Sequence, residues 1–85
     1  MTREQIVELL QRLGMTRDGD VFATPAGLGV VVYLGVDREP ILVDHVTRIE
    51  TSGNLVVVTA QRRDRVEKFG ASVESVRAVS VFTDK

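Results

Sequence analysis

The chain has 85 residues, no cysteine and a net charge of −1, and 44% of its residues are hydrophobic against 27% charged. This length and composition are those of one folded domain, residues 1–85, and they exclude a disordered chain. The lack of cysteine excludes disulfides, thiol catalysis and cysteine-bound zinc. The near-neutral charge argues against broad electrostatic binding to nucleic acid or to an anionic membrane.

Targeting and membrane segments are not predicted. No apolar stretch approaches the roughly 20 residues that span a bilayer. Residues 1–5 include an acidic and an amide side chain, and the N-terminus lacks the unbroken apolar segment of a signal peptide. We therefore expect a cytoplasmic protein of bacterial type with no membrane partner.

Residues 1–14 are predicted to form an amphipathic helix. Thr2 is followed three residues later by Gln5, which is the spacing of a capping box, and Gly14 is suited to end the helix. The apolar side chains recur at the spacing of one helical stripe: Ile6, Leu9, Leu10 and Leu13. A helix of this length is not stable alone, so we expect it to pack on the rest of the domain.

Residues 20–82 are predicted to form an antiparallel meander of five or six strands, because apolar runs alternate with turn-forming residues. The predicted strands are residues 20–24, 28–36, 41–43, 55–60, 65–69 and 76–82. The predicted turns are residues 17–19, 24–27, 37–40, 51–54 and 61–64. A further tight turn is expected within residues 44–49, because Val46 and Ile49 are three residues apart and so break the alternation of a strand.

One helix followed by sequential strands indicates a mainly β fold. We expect a small bent antiparallel sheet, or a partly open barrel of the SH3-like or Tudor-like type. The alternative is a single curved sheet with the helix packed across one face. The valine triplets at residues 30–32 and 56–58 are each followed by a charged loop and a return strand, which suggests an internal repeat. A valine-rich meander would produce the same echo by composition alone.

The sequence offers little for catalysis, and no enzyme activity, cofactor or metal is predicted. His45 is the only histidine, and the side chain of Asp44 beside it would point to the opposite face of a strand unless a turn intervenes. Residues 18–20 lack the further oxygen ligands of a calcium loop. Gly27 and Gly29 precede a strand and not the helix that a phosphate loop needs, so they are interpreted as turn and close-packing positions.

The string Gly-Asp-Val at residues 19–21, followed by Pro25 and by Gly-Leu-Gly-Val at residues 27–30, resembles the opening of bacterial RNA-polymerase-interacting domains of the CarD type. The resemblance covers residues 19–31 and departs from that family in the helix that precedes it. It implies a small Tudor-like barrel that docks on another protein.

Two predicted strands are apolar on both faces, which a sheet with one solvated face does not require. One short helix covers about two strands, so apolar surface is left over, and monomers rarely leave such surface bare. The sequence therefore favours a non-enzymatic protein-binding or assembly module, an adaptor that self-associates, first of all as a homodimer, or docks on a larger protein. The predicted interface residues are Val31, Tyr33, Val56 and Val58.

The alternative is a nucleic-acid-binding or transcription-associated barrel. Small barrels of this kind bind through basic loops, and the basic residues available are Arg62, Arg63, Arg65 and Lys68. Asp64 and Glu67 dilute this charge, and the few aromatic residues are scattered along the chain. A solvated hairpin tip that protects a sheet edge explains the same residues more simply.

Overall fold

The computed structural model describes residues 1–36 and 39–83, so the centre of the turn predicted at residues 37–40 lies outside the described residues. The elements, in chain order, are α1 (Arg3–Arg12), β1 (Thr16–Asp18), β2 (Val21–Ala23), β3 (Leu28–Val36), β4 (Glu39–Val43), β5 (Val46–Ser52), β6 (Leu55–Gln61), β7 (Val66–Ser72), a 3-10 turn (Val73–Ser75) and β8 (Val76–Thr83). A mainly β fold with one N-terminal helix is thereby confirmed. The described residues form eight strands, where five or six were predicted.

The strands form two antiparallel sheets that share one core. The five-stranded sheet has the order β1-β2-β5-β6-β7, and the three-stranded sheet has the order β4-β3-β8. The chain crosses between the sheets after each of the hairpins β3–β4 and β6–β7. After β4 it crosses to the five-stranded sheet, where β5 pairs with β2, and after β7 it crosses back to the three-stranded sheet, where β8 pairs with β3. The structure therefore differs from the single curved sheet, and the described strands do not close into a continuous barrel.

The helix begins and ends as its sequence predicts. The amide of Gln5 donates to the side chain of Thr2, and the amide of Thr2 donates to the side chain of Gln5, which completes the capping box. At the other end Gly14 has a φ of +92°, a conformation that glycine adopts without strain. The amide of Met15 can then donate to the carbonyl of Leu10 at 3.1 Å, and the Met15 side chain folds into the core.

Helix and strands contribute to a single hydrophobic core. Ile6 and Leu10 are fully buried in it, whereas Leu9 and Leu13 are half-buried, so the inward stripe of the helix is narrower than expected. The other fully or almost fully buried side chains are Met15, Phe22, Val30, Val32, Leu34, Val43, Val46, Ile49, Thr51, Val56, Val58, Ala60, Val73 and Val76.

Three local features differ from the predictions. Residues 46–52 form β5, which was not among the predicted strands, and a bulge between Val46 and Arg48 explains why Val46 and Ile49 are both buried although they are three residues apart. Residues 16–18 form β1, which overlaps the turn predicted at residues 17–19. The sequence did not predict this strand because all three side chains are exposed and show no alternation of polarity. The turn after β2 lies one residue later than predicted, with the amide of Leu28 donating to the carbonyl of Pro25 at 3.3 Å. Gly27 stands at its third position with a φ of +87°, which makes it a type II turn and not type I.

Replacing Leu10 with Ala should lower the free energy of unfolding by about 2–4 kcal/mol, because it leaves a cavity at a fully buried helix position. Urea unfolding followed by circular dichroism measures the loss. Leu55→Ala is the matched control, since Leu55 is 62% exposed and its truncation should cost no more than about 0.5 kcal/mol. Equal losses in the two variants would contradict the helix as a packing element.

Candidate protein-binding face

The central strand of the three-stranded sheet presents different residues to its two sides. Val30, Val32 and Leu34 point inward and are buried in the core. Val31 and Tyr33 alternate with them, so they point away from the core and are half-buried. The helix contributes its buried side chains to the core side. It therefore does not cover Val31 and Tyr33.

The neighbouring strands extend this outward side into an apolar surface. Leu42 of β4 and Ala78 of β8 pair with Tyr33, and Phe82 of β8 pairs with Gly29. Paired residues of an antiparallel sheet lie on the same face. We call this surface the outer face, and its residues are Val31, Tyr33, Leu42, Ala78, Ser80 and Phe82. Leu42 is 54% exposed and Phe82 is 50% exposed, although both are large and apolar.

Two glycines let neighbouring side chains lie flat on this surface. The ring of Phe82 lies over Gly29, and the side chain of Arg77 lies over Gly35, each in the space that a Cβ atom would occupy. Gly29 is therefore a close-packing position, as predicted. The charged side chain of Arg77 thus lies at the end of the face near Gly35, and the charged Asp44 lines a groove with Leu42 and Phe82 at the other end.

The outward side of the five-stranded sheet is polar by comparison. Thr59 of β6 lies between Arg48 of β5 and Lys68 of β7, and Glu50 pairs with Val57 one step along the strands. Charged and hydroxyl side chains thus occupy the middle of that surface. The outward side of the five-stranded sheet also exposes Leu55 and Val66, but these lie at opposite ends of β6 and β7 with the charged and hydroxyl side chains between them.

Val56 and Val58 do not lie on an outward surface. They are 1% and 0% exposed, and both belong to the core of this chain. The sequence hypothesis placed them in an interface because β6 is apolar on both sides, and the pattern alone does not tell which side faces inward. Val57, which points outward, is half-buried.

A groove of about 620 Å³ opens at the Gly29 end of the outer face. Its apolar walls come from the type II turn and from the two exposed residues of the outer face, and its lining includes Pro25, Leu28, Leu42 and Phe82. His45 and Gln61 supply polar groups at its rim. The outer face is therefore continuous with a concave apolar surface at this end.

The basic hairpin is largely neutralised by ion pairs. Arg62 donates to Glu67 at 2.6 Å and to the side chain of Asp44 at 2.8 Å, which ties the β6–β7 turn to the β4–β5 turn. Arg65 lies within 3.4 Å of Asp64 and 3.7 Å of Glu67.

Of the four predicted basic residues, Arg63 and Lys68 are the two without an ion pair among the described residues. Both are exposed, but Arg63 lies at the hairpin turn and Lys68 on the outward side of the five-stranded sheet.

These contacts shift the ionisation of three groups. The hydrogen bond with Glu67, reinforced by Asp44, raises the pKa of Arg62. The hydrogen bond from Arg62 lowers the pKa of Glu67 below its ordinary value. For Asp44, partial desolvation acts upward, but the hydrogen bond from its own backbone amide and the charges of His45 and Arg62 together lower the pKa.

His45 lies in the tight turn predicted between β4 and β5. It has a φ of +55°, and its Nδ1 atom is 3.3 Å from a carboxylate oxygen of Asp44. The turn thus brings together two neighbouring side chains that a regular strand would separate. His45 is well exposed, and the described residues contain no cluster of three acidic, histidine or cysteine side chains arranged to hold a metal ion.

Replacing Arg62 with Met should reduce stability at pH 7 and reduce it less at pH 3. The pKa values of Asp44 and Glu67 are lowered in the folded protein. The stability that their ionised forms contribute is therefore fully present above about pH 4.5, and it is lost as the pH falls through the lowered pKa values. The urea midpoints of wild type and variant at the two pH values measure this. Arg63→Met is the control and should show no such dependence; a constant difference for Arg62→Met would contradict the ion-pair assignment.

Comparison with known proteins returned no match to a family model, to a curated protein or to a solved structure. Among the described residues, no helix combines the length and the apolar character needed to cross a bilayer.

Proposed function

We propose that this chain is a non-enzymatic protein-binding or assembly module whose docking surface is the outer face. We further propose that its two sheets form a small, partly open barrel of the SH3-like or Tudor-like type, which is supported by the contact of β3 with β5 and by the single core. The observation that carries the proposal is the contrast between the two outward surfaces. One is apolar around Val31 and Tyr33, and the other is charged around Thr59.

The exposed apolar side chains supply the free energy for docking. Full burial of a leucine or phenylalanine side chain is worth roughly 1.5–3 kcal/mol. Leu42 and Phe82 are about half exposed, so about half of that free energy is still to be gained when a partner covers them. Tyr33 adds a rigid aromatic ring at the centre of the face, and tyrosine is enriched at binding hot spots because it buries a large area at low entropic cost.

The partner to which the proposal commits is a second copy of this chain. Two outer faces can pack about a two-fold axis near Val31 and Tyr33, as sheets pack at about 10 Å separation. The centre of the face carries no charge, and Arg77 lies at its end, so this packing does not force like charges together at the centre. Pro40 lacks an amide hydrogen and weakens the β4 edge for strand pairing, which favours contact through the face.

Leu42→Asp should lower the molar mass of the assembly measured by light scattering at about 100 µM, because it places a charge at the exposed outer face. Leu55→Asp is the matched control, since Leu55 is equally exposed but belongs to the five-stranded sheet. Both variants should keep the circular dichroism of the wild type. If the two variants and the wild type share one molar mass, the face does not pair with a second copy, and a different protein remains its partner.

The competing nucleic-acid function has its own test. Any binding should be weak at physiological salt, because Arg62 and Arg65 are engaged by carboxylates and leave only Arg63 and Lys68 without an ion pair among the described residues. A gel-shift titration with single-stranded and duplex DNA and RNA measures it, with Arg63→Glu combined with Lys68→Glu as the comparison. Sub-micromolar affinity that this double variant abolishes would replace the protein-binding proposal.

A further inference from the structure

The two sheets have four edge strands, and an edge strand carries backbone amide and carbonyl groups that no strand of this chain pairs. These edges are β1 and β7 in the five-stranded sheet and β4 and β8 in the three-stranded sheet. Natural proteins blunt such edges with short length, charge or proline, because an unblunted edge pairs with another chain. The state of each edge therefore indicates which one is available to a partner.

Three of the four edges carry such a device. The strand β1 is three residues long and its side chains are all exposed. The strand β4 contains Pro40, which has no amide hydrogen to donate. The strand β7 carries Glu67 and Lys68 in succession, with the charge of Lys68 exposed.

The fourth edge, β8, is protected only at its beginning. There the amino group of Met1 donates to the carbonyl of Val76, and the charged Arg77 lies at a bulge in the pairing with β3, whereas residues 78–83 carry no charge, no proline and no bulge. The strand is eight residues long, lacks proline, and has Arg77 as its one charged residue. Its other residues are apolar or small hydroxyl side chains, and its only strand neighbour among the described residues is β3. This is the combination that an edge-pairing site requires.

We propose that β8 pairs with β8 of a second copy, antiparallel about a two-fold axis, so that the two three-stranded sheets become one six-stranded sheet. This contact uses the strand edge and goes beyond the face-to-face packing proposed above. The occupant is a second copy because the strand is complementary to itself in a register that keeps Arg77 away from its own equivalent. That register places the axis at Ser80.

The complementarity follows from the alternation of the strand. Residues directly opposite each other in an antiparallel pair lie on the same face of the sheet. A two-fold axis between two β8 strands must therefore lie where one residue is directly opposite the same residue of the partner. With Ser80 at the axis, Val79 lies opposite the partner's Val81, and Ala78 lies opposite the partner's Phe82. Arg77 then lies opposite the partner's Thr83, so no like charges meet across the new edge.

The pairing also joins the outer faces of the two copies. A two-fold axis perpendicular to a shared sheet keeps both outward sides on the same side of that sheet. The ring of Phe82 would pack beside the partner's Ala78, a small residue, and the apolar surface would run without a break from Leu42 of one copy across both β8 strands to the partner's Leu42. A docking surface of twice the area results.

Cysteine cross-linking tests this geometry directly, because the chain has no cysteine of its own. Residues opposite each other at the axis have Cα atoms about 4.5–5.5 Å apart, within the range a disulfide bridges. Ser80 is exposed, so Ser80→Cys should fold and should form a disulfide-linked dimer under mild oxidation. Ala78→Cys is the control on the same strand and face, since its Cα would lie about 14 Å from its equivalent.

On a non-reducing denaturing gel, we expect most of the Ser80→Cys chain to run as a cross-linked dimer and most of the Ala78→Cys chain to run as a monomer. The experiment is repeated with Leu42→Asp in both chains, which removes face-to-face packing. Face-packed sheets hold their backbones about 10 Å apart, too far for a disulfide, so the cross-link reports the edge alone. The Leu42→Asp chain without added cysteine should scatter light as a dimer.

Each outcome decides one of the two contacts. Cross-linking of Ser80→Cys no greater than that of Ala78→Cys, or a monomeric Leu42→Asp chain, overturns the edge pairing even if the face packs as proposed. Strong cross-linking at Ser80 together with an unchanged molar mass for Leu42→Asp keeps the edge pairing and rejects the packing of two outer faces.

Discussion

The pairing of β3 with β8 is the interaction on which the rest of the structure depends. It joins Leu28 to Thr83 and continues along the length of both strands, so it fastens the middle of the chain to its last strand. Without β8, the β3–β4 hairpin would be a two-stranded ribbon, which is marginal in water. With β8 in place, β3 becomes a central strand, its inward residues Val30 and Val32 fill the core, and its outward residues form a surface wide enough to bind.

The helix supports this arrangement from the other side of β3. Ile6 and Leu10 enter the core that the two sheets enclose, and Arg3 forms an ion pair with Asp20 at 2.6 Å beside the β1–β2 turn. The apolar side of the helix is thus buried against the core. The described residues contain no second α-helix that could cover the outer face, so this face remains in contact with water.

The sequence predicts those parts of the fold whose side chains alternate. The bounds of β3 agree with the prediction because every second residue is aliphatic. The start of the helix agrees because its capping box forms, although only Ile6 and Leu10 of its apolar stripe are fully buried. The strand β1 was missed because an exposed strand has no alternation to detect. The division into two sheets was not predictable either, because β8 pairs with a strand about fifty residues earlier, and loop lengths do not specify such a distant partner.

The candidate site was predictable to the same extent. Val31 and Tyr33 follow from the alternation of β3, but Leu42 and Phe82 join them only through the register of the neighbouring strands. Val56 and Val58 show the converse, since a strand that is apolar on both sides does not reveal which side is inward. In the basic hairpin, Arg62 and Arg65 are engaged by carboxylates. Asp64 and Glu67 are close in sequence and could be foreseen, whereas Asp44 is distant in sequence and near in the fold.

The long sequence separation between β3 and β8 also has a kinetic consequence. Contacts between residues far apart in sequence form late in folding, because the entropy of the intervening loop must be lost first. Synthesis adds a further delay, since the residues of β8 leave the ribosome only after β3 to β7. During that interval the edge of β3 that β8 will occupy is open to the β8 strand of a neighbouring chain. Exchange of this last strand between two nascent copies is therefore the misassembly to which this topology is most exposed, and slow translation or high local concentration would increase it.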